Sequence, residues 1–269
     1  MTGDTYEVYA IKYAWLMRRS PENFVGGDEH DVEMPLNYYV WLVTNDERSI
    51  VIDTGFGAEV GRKRGRKIIK PVEEGLRALG LQPDKVKDVV ITHMHYDHAG
   101  NVPLFSNARF HLQDKEMEFA TGRCMCHGIM RHGYEASDVM HLVRCVFDRR
   151  VEFHDGAAEI APGVELHHIG GHTKGMQSVR VRTRRGWVVL ASDASHFYAH
   201  MEQDRAFPIL YNLGDMLEGF RTLRKLASSP QHIIPGHDPL VMDRYPAARQ
   251  GTEDWIVRLD VEPDGQARA

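Results

Sequence analysis

Asp88-Val89-Val90-Ile91-Thr92-His93-Met94-His95-Tyr96-Asp97-His98 is a short apolar strand that runs directly into a cluster of imidazoles and a carboxylate. In extended chain, residues two apart point to the same side, so His93 and His95 face one another's neighbourhood. Asp97 and His98 follow where the chain turns, which lets them serve a second metal beside the first. Imidazole and carboxylate are the donors that borderline divalent metals such as zinc prefer. A lone His-x-His is a weak signal. The longer His-x-His-x-Asp-His, at a strand end and followed by Ala99-Gly100-Asn101, is a strong one. The chain holds sixteen histidines in 269 residues, so their spacing, and not their number, carries the reading.

Working outward, residues 37–43 (Asn-Tyr-Tyr-Val-Trp-Leu-Val) are aromatic and β-branched and predict a strand. A second short apolar run, 49–53, stops at Asp53-Thr54-Gly55, and Asn45 to Arg48 is the hairpin turn between them. Residues 71–79 predict a helix, with Pro71 in its first turn and Gly80 past its end. With the strand at 87–92 this makes a βαβ-like opening. Residues 114–150, rich in Met, His and charge, read as a helical insertion. Strands are expected again at 164–168, 178–182 and 187–191. Residues 212–227 are an amphipathic helix, with Leu213, Met216, Leu217, Phe220, Leu223 and Leu226 at helical spacing. A last strand covers 232–234. The expectation is a layered α/β protein with mixed sheets, a single domain over 1–269 with a disordered tail after residue 261. Sites in such folds lie at strand ends.

Three more strand ends carry donors: Gly170-Gly171-His172-Thr173, Ser192-Asp193 and Pro235-Gly236-His237. The alternative reading, polar core groups satisfied by ordinary hydrogen bonds, competes most at His237, whose Pro-Gly-His turn is the least specific piece. With these motifs in place the chain resembles the metallo-β-lactamase superfamily and, within it, the N-acyl-homoserine lactonase group. The resemblance runs from Asp53-Thr54-Gly55 to Pro235-Gly236-His237. It includes Asp97-His98-Ala99-Gly100-Asn101 and Leu104-Phe105-Ser106-Asn107-Ala108.

The resemblance implies a four-layer αβ/βα sandwich and two divalent metal ions, zinc by default, with iron, manganese or cobalt also accommodated by these donors. It places His93, His95 and His172 on one metal and Asp97, His98 and His237 on the other, with Asp193 bridging. Two departures from sister groups narrow the chemistry. Redox members carry Glu where this chain has His95, and β-lactamases carry Cys where it has Asp193. The implied reaction is hydrolysis of a lactone, such as an N-acyl-homoserine lactone, by a hydroxide held between the metals, about 3.5–4 Å apart. Asp193 or Asp97 shuttles the proton to the leaving alkoxide. Other esters, thioesters, cyclic amides and phosphodiesters remain as alternative substrates of the same centre. The group often places a tyrosine three residues after the bridging Asp as a donor to the substrate. This chain has His196 there, so His196, or Tyr198 two residues on, is the candidate donor.

The formal charge of −5 and pI near 6.3 give no electrostatic reason to expect nucleic acid or a membrane surface as partner. The expected partner is a small lactone or ester, and a homodimer is compatible with the sequence. The polar start lacks a secretory leader pattern and no apolar run is long enough to span a bilayer, so the cytoplasm is the expected compartment. Cys124, Cys126 and Cys145 do not make a disulfide framework. Cys124, Cys126 and His127 lie too close together for an ordinary tetrahedral site, and read as pocket wall. Asp53-Thr54-Gly55-Phe56-Gly57 has the wrong spacing for a dinucleotide loop. It is read as a structural turn in which Asp53 gives a supporting hydrogen bond. The basic run Arg62 to Lys70 has the charge to recruit an anion, and is read as a solvated loop. Tyr13, Trp15, Met17, Phe24, Met130 and Tyr134 are candidates either for an apolar pocket or for plain packing.

Overall fold

In the computed structural model, which describes residues 4–264, two sheets stack face to face with helices on their outer sides. The strands are β1 (Glu7–Leu16), β2 (Leu36–Thr44), β3 (Ser49–Ile52), β4 (Lys67–Ile68), β5 (Asp88–Val90), β6 (Arg109–Gln113) and β7 (Val151–His154). They continue as β8 (Ala158–Ala161), β9 (Val164–His168), β10 (Gln177–Thr183), β11 (Gly186–Ser192), β12 (Ile233–Pro235) and β13 (Ile256–Arg258). The first sheet runs β13-β1-β2-β3-β5-β6-β7, with β4 paired to β1. The second runs β12-β11-β10-β9-β8.

The strand β2 shows why the sheets stack. Tyr39, Trp41 and Val43 point into a core shared with Val179, Leu190 and Ile234 of the second sheet. Tyr38, Val40 and Leu42 point the other way, into a core roofed by Val72, Leu76, Phe119 and Leu142. A strand buried on both faces carries no polar alternation, which accounts for its unbroken apolar run.

The hairpin between β2 and β3 is antiparallel, and its turn is held by Asn45 Oδ1, which accepts from the amides of Glu47 and Arg48 at 3.0 Å each. β3 and β5 are parallel, joined through the helix Val72–Ala78. The amphipathic helix forms at Leu213–Leu226, with Asn212 Oδ1 capping the amide of Asp215. Residues 114–150 hold the helices Asp114–Thr121, Gly128–Arg131 and Ala136–Phe147. The expected tail after 261 falls partly on residues 265–269, which lie outside the described residues. Before them, the Asp264 amide donates to the Arg244 carbonyl at 2.7 Å. Among the described residues no helix is long and apolar enough to cross a membrane.

The two sheets are sewn together at one end. Thr92, just past β5, accepts from the Gln177 amide of β10 at 3.0 Å, and its hydroxyl lies 2.8 Å from Ser192 Oγ at the end of β11. The histidine-bearing loops open on this seam.

Candidate metal centre

The expected ligands arrive from four strand ends. His93 and His95 extend from β5, and Asp97 and His98 sit on the single turn Tyr96–Ala99. His172 lies in the loop between β9 and β10, where Gly171 adopts φ +84° and a Cβ would fall 2.6 Å from the Met216 backbone. Asp193 follows β11 directly after Ser192, held at φ +48°, a conformation unusual outside glycine. His237 follows β12. A Cβ on Gly236 would sit 2.7 Å from the Ser192 carbonyl and 2.8 Å from Asp193 Oδ1, so only glycine brings the β12 loop this close to Asp193.

All seven side chains meet in one buried cluster. His172 Nε2 lies 3.2 Å from His93 Nε2 and 2.9 Å from His95 Nδ1. On the other side, Asp97 Oδ2 lies 3.6 Å from His98 Nε2 and 3.7 Å from His237 Nε2. The carboxylate of Asp193 stands between the two groups. Its Oδ2 is 3.3 Å from His172 Nε2 and 3.9 Å from His93 Nε2, while its Oδ1 is 3.3 Å from His98 Nε2 and 3.0 Å from His237 Nε2.

The outer face of the cluster fixes the rings. His98 Nδ1 donates to Asp53 Oδ2 at 2.7 Å, His172 Nδ1 to the Ile209 carbonyl at 2.7 Å, and His237 Nδ1 to the Asn37 carbonyl at 2.7 Å. With Nδ1 carrying the proton, Nε2 of each ring turns a lone pair inward. Burial holds the pKa of His93, His95 and His172 below the ordinary imidazole value, which keeps them neutral. Burial opposes charge on His98 and His237 too, but the neighbouring carboxylates, Asp193 foremost, outweigh it and raise both. A divalent cation competes for the same lone pairs.

The donors fit such ions. His98 Nε2 and Asp193 Oδ1 are buried without a hydrogen-bond partner although they face each other across 3.3 Å. Buried polar atoms are normally satisfied, and three inward imidazole nitrogens crowded together repel unless something positive lies among them. The cluster can hold two divalent metal ions.

A cavity of about 750 Å³ opens on it, bordered by His95, Asp97, His172, Asp193, His196 and His237. His196 stacks on Phe207, with ring centroids 3.6 Å apart, and its Nε2 lies 2.9 Å from Asp193 Oδ2. Tyr198 is not among the residues that border the cavity. It is buried beneath the Arg244 guanidinium, 3.9 Å over its ring. Two tyrosines do border the cavity: Tyr96, and Tyr38 of β2, whose ring packs 5.2 Å from that of His237. Of the other candidates, Met17 and Met130 border the cavity, Phe24 is buried, and Tyr13 donates its hydroxyl to the Asp97 carbonyl at 3.0 Å. Cys124 and Cys126 lie on a 3-10 turn away from the cavity lining.

Two supports have no local signature in the sequence. Glu116, in the helix Asp114–Thr121, is buried. Its Oε1 accepts from the Met94 amide (2.8 Å) and the Tyr134 hydroxyl (3.0 Å), and its Oε2 accepts from the Thr173 hydroxyl (2.6 Å) and the Gly175 amide (3.2 Å). It clamps the His93–His95 loop to the His172 loop. Gly133 is the other: a Cβ there would lie 2.5 Å from His95 Nε2. The helical segment is thus part of the site's frame.

Comparison with known proteins agrees with this geometry. The family model of the metallo-beta-lactamase superfamily matches residues 34–244. An N-acyl homoserine lactonase of a Bacillus species is 27% identical over 222 residues, 76% of this chain and 82% of the relative. The N-acyl homoserine lactonase AttM of Azorhizobium caulinodans is 29% identical over 251 residues, 83% of this chain and 88% of the relative. A solved quorum-quenching N-acyl homoserine lactone lactonase superposes with a TM-score of 0.72 at 25% identity, over 89% of this chain and 95% of that one.

Proposed function

As the chain belongs to the metallo-beta-lactamase superfamily, we propose that it is a two-metal hydrolase that opens the ring of a lactone of the N-acyl-homoserine type. The observation that carries the reading is the division of the Asp193 carboxylate, one oxygen toward His93 and His172 and the other toward His98 and His237. Two divalent ions, zinc by the character of the donors, supply Lewis acidity when bound, lowering the pKa of water toward neutrality and polarising a carbonyl. His93, His95 and His172 would hold one, Asp97, His98 and His237 the other, and Asp193 both.

The chain's own groups do the rest. No serine or cysteine borders the cavity among the described residues, which supports water as the nucleophile. Asp97 and Asp193 border the cavity and carry the carboxylates that can take a proton toward a leaving alkoxide. His196, donating from Nε2 to Asp193 Oδ2, orients that carboxylate, and its stacking on Phe207 fixes the ring plane. Phe119, Ile209 and Leu210 give the cavity an apolar wall for an acyl chain and limit water around the reacting ester.

The test is turnover by metal-loaded protein on a panel of lactones against thioester and phosphodiester substrates. Lactone opening is expected to dominate. Turnover of another class with every lactone inert overturns the substrate reading. An Asp193→Asn variant with unchanged metal content and unchanged rate overturns the proposed role of Asp193.

A further inference from the structure

The basic run Arg62 to Lys70 is not the solvated loop its composition suggests. Arg62, Lys63 and Lys67 are exposed, but Arg64 and Arg66 turn inward and border the catalytic cavity. The reason is the pairing of β4 with β1, Lys67 opposite Trp15 and Ile68 opposite Ala14, which sets Arg66 beside Leu16 at the end of β1. Arg18 borders the same cavity.

These three arginines are not equally neutralised. Arg64 is bound to Glu135 at 2.8 Å and lies 4.0 Å over the ring of Tyr96. Glu135 is further occupied by Lys63 at 2.7 Å. Arg18 has Glu22 at 3.8 Å, and Glu22 also accepts the Arg19 amide at 2.8 Å. Arg66 donates from Nε to the Tyr96 hydroxyl at 2.9 Å and from Nη1 to the Arg64 carbonyl at 2.5 Å. Among the described residues it has no carboxylate within ion-pair distance. The Tyr96 hydroxyl in turn lies 3.2 Å from that of Tyr38. A half-buried guanidinium with only neutral partners, beside a second arginine and a phenol, has the character of an anion receptor. A cavity meant only for an alkyl chain has no use for it.

Resting on the lactonase reading, we propose that the substrate carries a carboxylate on its acyl part, seated on the Arg66 guanidinium with Arg18 and the Tyr38 hydroxyl, while the lactone lies at the metal centre. The planar two-oxygen carboxylate matches one guanidinium fork. The apolar surface of Met17, Ile129 and Met130 at the same mouth covers the methylenes between the two ends.

The experiment uses metal-loaded protein and homoserine lactones N-acylated with dicarboxylic acids of four to eight carbons. The same chains ending in a primary amide are the neutral controls. At the preferred length the carboxylate is expected to exceed the amide at least 10-fold in kcat/KM, mainly through KM. That ratio falls toward one in Arg66→Met and is partly restored in Arg66→Lys; Arg18→Met lowers it less. A carboxylate opened no faster than its amide at every length, or a ratio unmoved in Arg66→Met, overturns the proposal. If neither series is opened, the lactonase reading fails, and calorimetric binding of adipic acid monoamide against adipamide still decides the subsite. Tighter binding of the acid, lost in Arg66→Met, supports it; equal binding overturns it.

Discussion

Asp53 Oδ2 accepts a hydrogen bond from His98 Nδ1 at 2.7 Å, and both side chains are sealed from solvent. The same carboxylate accepts the Thr92 amide and hydroxyl at 2.8 Å each, so it is anchored before it orients the ring. Carboxylate partners of this kind set ring orientation and basicity, and losing one typically costs 10–100-fold in metal affinity. Asp53→Ala should therefore weaken metal binding by about 10- to 100-fold, read by competition with a chromophoric chelator. An unchanged affinity would show that His98 is positioned without it.

Glu116 makes four hydrogen bonds, three of them to two different ligand loops and one to Tyr134. Removing a buried carboxylate leaves those donors without partners, at about 1–3 kcal/mol each where they stay dry. Glu116→Ala should lower unfolding free energy by more than about 3 kcal/mol and reduce bound metal. Chemical denaturation and metal analysis on the same sample check both. A variant as stable as the parent with full metal content contradicts the clamp.

Asp138, on the helix Ala136–Phe147, has its pKa pushed up to about 6 from an ordinary 3.8, by burial first and by the charge of Glu135 second. The folded state then holds a proton that the unfolded chain gives up, so stability falls as pH rises from about 4 to 6 and the full cost stands above that. Asp138→Asn removes the ionisation. It should raise Tm by about 2–4 °C at pH 7.5, the effect of ~1 kcal/mol in a domain of this size. The gain should shrink below pH 6 and vanish near pH 4. Thermal scans of both proteins across pH 4–8 measure it, and a pH-independent difference excludes the cause given.

The buried, unpartnered His98 Nε2 and Asp193 Oδ1 are atoms that a bound cation would satisfy in the folded state alone. A ligand bound only by the folded state at a thousandfold excess over its Kd adds about 4 kcal/mol. Stripping the protein with a chelator should lower Tm by about 8–16 °C, reversed by zinc, since 1 kcal/mol moves Tm by about 2–4 °C at this size. Equal melting with and without metal would place the ions elsewhere or nowhere.

The sequence by itself determined the donor types and where along the chain they fall. His93, His95, Asp97 and His98 are neighbours, and the strand before them, the turn glycines Gly171 and Gly236 and the apolar run of β2 are all local patterns that sterics and periodicity make legible. The turn at Asn45 and the helix capped by Asn212 are legible for the same reason. Only the tertiary structure decided what those donors do together. Asp193 meets His98 and His237 because β11 and β12 pair in parallel and the two sheets close on Thr92 and Ser192. Glu116, Gly133 and Tyr38 join the site from segments with no motif, and Arg64 and Arg66 turn inward because β4 docks on β1. The direction of a side chain depends on which distant backbone packs against its own, and no spacing along one strand encodes that.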